Sequence, residues 1–117
     1  MIFIVDDDSA ARDSLRCLLE CEGIEVEDFA SAEAFLAALP QAEKGCLIAD
    51  VKMPGMSGLD LLEKLRGDGS QLTAIVVSGL PSAATKQRAE RAGATFLDKP
   101  FNDPGLAQLL RQTRTSA

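Results

Sequence analysis

The 117-residue chain reads as an α/β domain, a mostly parallel sheet covered by helices on both faces. Two observations predict this. Short apolar runs alternate five times with stretches whose apolar residues recur at helical spacing. Four of those runs stop, at their carboxyl ends, on polar side chains: Asp6 and Asp7, Asp50, Ser78, and Lys99. In an open parallel sheet such ends share one edge, and ligands bind in the crevice beyond it.

Each element has its own signal. Ile2, Phe3, Ile4 and Val5 form a buried-strand run that ends in Asp6, Asp7 and Asp8. Ala11, Leu15, Leu18 and Leu19 mark the inward stripe of a first helix, closed near Gly23. Asp8 is placed to cap it. Residues 24–29 alternate apolar and acidic side chains, which suits a strand with one covered face at the sheet edge. Residues 31–39 read as a second helix, with Ser31 as N-cap and Pro40 just past its end.

Cys46, Leu47, Ile48 and Ala49 are a third, fully buried strand that halts at Asp50. Pro54, Gly55, Ser57 and Gly58 then supply turn residues that cannot continue it. Leu59, Leu61, Leu62 and Leu65 carry a third helix, followed by a loop at 67–70. Ala74, Ile75, Val76 and Val77 form the fourth strand, which ends at Ser78 and Gly79. Residues 81–92 are expected to be helical, with Gly93 following. After Pro81 the apolar residues of that helix are all alanine, at 83, 84, 89 and 92. It removes little apolar area from water and is expected to be held weakly. Thr95, Phe96 and Leu97 form a last strand before Asp98, Lys99 and Pro100, and residues 103–114 a last helix around Leu106, Leu109 and Leu110. No repeat, low-complexity stretch or linker interrupts the chain, so residues 1–117 read as one domain with no effector domain after it.

Composition removes several function classes. No apolar run approaches the ~18 residues of a membrane span, and the first residues lack a signal peptide's basic start. Three cysteines without a C-x-x-C pair, and no histidine, disfavour a disulfide framework or a zinc site and suit a reducing cytoplasm. Cys17 and Cys21, one turn apart, read as free thiols on a helix surface. The net charge of −6 argues against direct nucleic-acid binding. Residues 1–50 hold 12 acids and 3 bases, a net charge of −9, while residues 51–117 hold 6 acids and 9 bases, a net charge of +3.

Asp6, Asp7 and Asp50 at one edge bring three negative charges together, and Lys99 brings one positive. Such carboxylates repel unless a cation joins them. A hard divalent ion neutralises the set, and Mg²⁺ suits a site of few carboxylates. The EF-hand spacing is absent after Asp6. A bound cation makes a further anion welcome, with the Ser78 hydroxyl and Lys99 ammonium placed to hold its oxygens. No Walker A or G-x-G-x-x-G sequence occurs, and no Ser/His/Asp triad is available without histidine. What remains suits phosphoryl transfer onto a carboxylate, Asp50. Taken singly, each residue has a plainer role: Asp6, Asp7 or Asp8 as a helix cap, Asp50 as the cap of a turn, Ser78 as a strand-end serine, Lys99 as a solvated lysine.

With these residues in view, the chain resembles, over essentially its whole length, the receiver domain of two-component response regulators. Ile4–Asp8, Asp50–Leu59, Val77–Gly79 and Phe96–Phe101 are most similar to receivers of the FixJ type. The resemblance implies a flavodoxin-like (βα)5 fold with strand order 2-1-3-4-5, an order for which a receiver is itself a standard example. It implies a phosphoryl group passed from a sensor histidine kinase to Asp50. It also implies Mg²⁺ held by Asp7, Asp50 and the main-chain oxygen of Lys52, with Asp6 acting mainly through water. Ser78 and Lys99 would contact the phosphoryl oxygens, and Phe96 would turn inward as Ser78 moves. The peptide before Pro100 would be cis. Such a protein catalyses only its own phosphorylation and dephosphorylation. Leu80 replaces a polar residue common at its position, and slowed self-hydrolysis is expected.

Two other readings stand beside the switch. One is a phosphorylation-independent pseudo-receiver, a fixed interaction module, against which the intact set Asp6, Asp7, Asp50, Ser78 and Lys99 speaks. The other is a small-molecule enzyme on the same fold, for which no second nucleophile is visible. The expected partners are the kinase, a DNA-binding effector domain in a longer native chain, and a second copy through the face of the fourth helix, fifth strand and last helix. Lys86, Arg88, Arg91, Arg111 and Arg114 form either a docking face there or an ordinary solvated surface.

Overall fold

A computed structural model describes residues 2–38, 45–69, 72–79 and 82–98. The elements run β1 (Ile2–Val5), α1 (Ser9–Cys21), β2 (Val26–Phe29), α2 (Ala32–Ala37), β3 (Cys46–Asp50), α3 (Gly58–Gly67), β4 (Thr73–Ser78), α4 (Ala83–Arg91) and β5 (Thr95–Asp98). All five strands are parallel, in the order β2-β1-β3-β4-β5. The flavodoxin-like order is therefore the one the resemblance implies, and β2 lies at an edge as its alternating residues indicate.

Period-two alternation divides the core between the two sheet faces. Phe3, Val5, Leu47, Ala49, Ala74 and Val76 pack with Phe35 of α2, with Leu59, Leu61, Leu62 and Leu65 of α3, and with Ala89 of α4. Ile2, Ile4, Cys46, Ile48, Ile75 and Val77 pack with Leu15 and Leu19 of α1 and with Ile24. Phe35 meets Phe3 and Phe29 edge to face, at ring-centroid distances of 5.6 and 5.4 Å.

Caps set the helix ends. Asp8 caps α1, Ser31 α2 and Ser82 α4, each accepting from main-chain N–H groups of its first turn. Ser57 and Asp60 form a reciprocal capping box on α3. Several elements differ in their bounds from expectation: the second helix ends at Ala37 rather than at residue 39, and the third runs to Gly67, where a loop was expected to begin. The edge strand starts at Val26 rather than residue 24, because the Ile24 N–H bonds to Leu19 in the turn that closes α1. The fourth helix starts at Ala83, once the extended Ser82 has capped it. Pro40, Leu80, Pro81, Lys99, Pro100, Arg111, Arg114 and the expected helix at 103–114 lie outside the described residues. Among the described residues no helix is long and apolar enough to cross a membrane.

Candidate functional site

Strand register builds the site. Val5 stands opposite Ala49, so Asp6 follows β1 level with Asp50 at the end of β3. Asp50 stands opposite Val77, with Ser78 one residue beyond. These ends bring together the only buried polar or charged side chains among the described residues: Asp6, Asp50 and Ser78, at 4%, 7% and 6% exposure. Asp7 is exposed beside them, and one carboxylate oxygen from each of Asp6, Asp7 and Asp50 lies within 4.8 Å of the others.

The backbone aims these carboxylates. The Asp8 N–H donates to Asp6 Oδ1 at 3.0 Å, and the Lys52 N–H donates to Asp50 Oδ1 at 3.1 Å. Beyond Asp50, the Val51 N–H holds the β4 end through the Val77 carbonyl at 2.9 Å. Gly58 then packs so tightly that a Cβ there would lie 2.3 Å from the Asp50 carbonyl oxygen. Gly55, at φ +76°, lets the loop turn in the left-handed region. Glu33 of α2 fastens that loop by accepting from the Met56 N–H at 3.2 Å; its own backbone N–H first, and then this bond, hold its carboxyl below the ordinary pKa.

Three ionised carboxylates at such separations repel by roughly 3 kcal/mol per pair at an effective dielectric constant of about 20. The donors are all oxygens, two of the three are buried, and their reach is that of a single ion. The set fits a hard divalent cation rather than a thiophilic one. Lys52, whose main-chain oxygen is expected to join them, has an exposed side chain in the loop after β3. Phe96 is half-buried on β5, opposite Val76, with the Lys86 ammonium 5.8 Å from its ring centroid.

Three functional neighbours escape the sequence reading. Glu33 and Gly58 hold the loop and strand end around Asp50. Arg12 reaches back from α1 to donate through Nη1 to the Asp6 carbonyl at 2.7 Å, while its Nε donates to Asp28 on β2 at 3.2 Å. A signal for Arg12 existed: it is one of three bases in the strongly acidic first 50 residues. Of the basic residues on the fourth helix, Arg88 turns toward α3, pairing with Glu63 at 2.7 Å and Asp60 at 3.2 Å.

The sequence profile described as "Response regulator receiver domain" matches residues 2–111. The transcriptional regulatory protein FixJ of Azorhizobium caulinodans is 40% identical over 111 residues, covering 94% of this chain and 53% of that protein. The crystal structure of FixJ-N superposes with a TM-score of 0.88 at 35% identity, covering 99% of this chain and 94% of that one. Full-length FixJ from B. japonicum gives a TM-score of 0.88 at 37% identity, covering 98% of this chain and 57% of that one. The chain thus spans about half the length of the curated relatives it matches.

Proposed function

This chain belongs to the response regulator receiver domain family, and on that premise we propose that it is the phosphoacceptor switch of a two-component system. Asp50 is the nucleophile. One of its carboxylate oxygens attacks the phosphorus of a kinase phosphohistidine, the P–N bond breaks, and the imidazole nitrogen keeps the electron pair. Attack of water on the resulting acyl phosphate later returns the carboxylate and inorganic phosphate. Mg²⁺, when bound, neutralises the cluster and the incoming phosphoryl charge. Asp7, Asp50 and the Lys52 carbonyl would hold it, with Asp6 acting through water. Ser78 and Lys99 bind phosphoryl oxygens, and the move of Ser78 draws Phe96 inward. The chain acts on no separate substrate and works in the cytoplasm. Its altered face serves a second copy or an effector domain of a longer transcription regulator, the class to which FixJ belongs.

One observation carries this reading: carboxylates from residues 6, 7 and 50 share one sheet edge within 4.8 Å, with the buried Ser78 at the neighbouring strand end. Incubation with an acyl phosphate and Mg²⁺, followed by intact mass, tests it. The wild type should gain one phosphoryl group and Asp50→Asn none. No gain in the wild type would instead favour the phosphorylation-independent module.

A further inference from the structure

We propose that Arg12 is a positioning residue for the acidic cluster, setting the plane of the peptide that joins Asp6 to Asp7. The inference rests on the metal-binding reading of that cluster. The peptide unit is rigid, so one rotation of its plane redirects the exit of both side chains. Its oxygen, the Asp6 carbonyl, accepts from Arg12 Nη1 at 2.7 Å, a charge-assisted bond. Arg12 is itself held at two further points. Its backbone N–H donates to the Asp8 carbonyl at 3.0 Å in the first turn of α1, and its Nε donates to Asp28 Oδ2 at 3.2 Å.

Asp28 is pinned in turn. Arg16 Nη1 takes its other oxygen at 2.7 Å, and Arg16 Nε lies 3.4 Å from Glu20 Oε1. Two arginines face two carboxylates, so the network is electrically balanced and acts on the cluster through geometry rather than net charge. Arg12 has 16% side-chain exposure and Asp28 21%, which shields this bond from solvent more than an ordinary surface pair. The task requires a planar fork with two donors in fixed directions. A lysine ammonium is a point charge on a flexible stem and does not reproduce the bridge.

The experiment compares the 117-residue chain with Arg12→Gln, Arg12→Lys, Asp28→Asn and Arg16→Gln. The chain contains neither Trp nor Tyr, so Mg²⁺ affinity is read from nitrogen–proton correlation spectra, and urea unfolding is followed in parallel. Arg12→Gln and Arg12→Lys should both weaken Mg²⁺ binding on the order of tenfold, and Asp28→Asn should act in the same direction by less. Arg16→Gln removes an ion pair to the same Asp28 without touching Asp6, and should stay within about twofold of wild type. The proposal is overturned if Arg12→Lys binds like wild type, if Arg16→Gln weakens binding as much as Arg12→Gln, or if Arg12→Gln loses stability with affinity intact. A wild type that binds no Mg²⁺ instead removes the metal reading beneath it.

Discussion

Gly58 and Cys46 illustrate how much a single position decides. A Cβ on Gly58 would meet the main-chain oxygen of Asp50 at 2.3 Å and its carbonyl carbon at 2.8 Å. Backbone cannot swing aside as a side chain can, so Gly58→Ala should cost about 1–3 kcal/mol, read as a lower urea midpoint, and should disturb Asp50. Cys46 is buried, and desolvation pushes its thiol up to about 12, whereas Cys17 and Cys21 are exposed. A thiol reagent at neutral pH should therefore label two cysteines in the native chain and a third only on unfolding. A thiol pKa raised from 9.0 to about 12 means that above pH 9 the unfolded chain loses a proton the folded chain keeps. Wild-type stability relative to Cys46→Ala should then fall by roughly 1 kcal/mol per pH unit across that window. At this scale Asp6, Asp7, Asp50 and Ser78 were legible because apolar runs stop on them. Arg12 and Glu33 were not, since their bonding partners are set by the folded path rather than by neighbours in sequence.

Among the helices, α3 and α4 are held by opposite means. α3 buries Leu59, Leu61, Leu62 and Leu65, whereas the buried residue of α4 is Ala89. Leu65→Ala should cost about 2–5 kcal/mol, the usual penalty for emptying a core site, measurable by urea unfolding. α4 leans instead on polar links: Arg88 to Glu63 and Asp60, and Arg66 Nε donating to the Ala92 carbonyl at 2.7 Å. Exposed pairs of this kind contribute little singly. Hydrogen exchange should therefore find α4 amides less protected than those of α3, and Arg88→Ala should widen the gap with a small change in global stability. Arg88 donates to both carboxylates, chiefly to Glu63, and holds the Glu63 carboxyl below its ordinary pKa; Asp60 is lowered first by its capping bonds to Ser57. Folded values below unfolded ones give stability that is present above the ordinary carboxylate range and lost as pH falls through it, so the Arg88→Ala difference should vanish in acid. The alanine-only pattern announced a weakly packed helix, but the arginine latch was hidden because charges on a helix do not declare which neighbour they face.

Over the whole molecule, five alternations of strand and helix made the parallel sheet legible, and the acidic alternation of residues 24–29 put β2 at its edge. The order β2-β1-β3-β4-β5 came through family resemblance, because periodicity alone does not say which strands are neighbours. If the carboxylates are a cation site, Mg²⁺ at about 100 times its Kd should raise unfolding stability by roughly 2.7 kcal/mol. Asp7→Asn should do the reverse of an ordinary loss: the metal-free protein gains stability as two of the three pairwise repulsions disappear, and the response to Mg²⁺ shrinks. Thermal melts with and without the ion distinguish the two.

The position of β1 between β2 and β3 carries a consequence for biosynthesis. The first strand emerges from the ribosome together with the two aspartates that follow it, yet the third member of the group arrives only with residue 50. Until β3 slots in alongside β1, a nascent chain displays separate acidic residues and no shared cluster, so if the finished domain holds a cation there, a translation product halted early has nowhere to hold it.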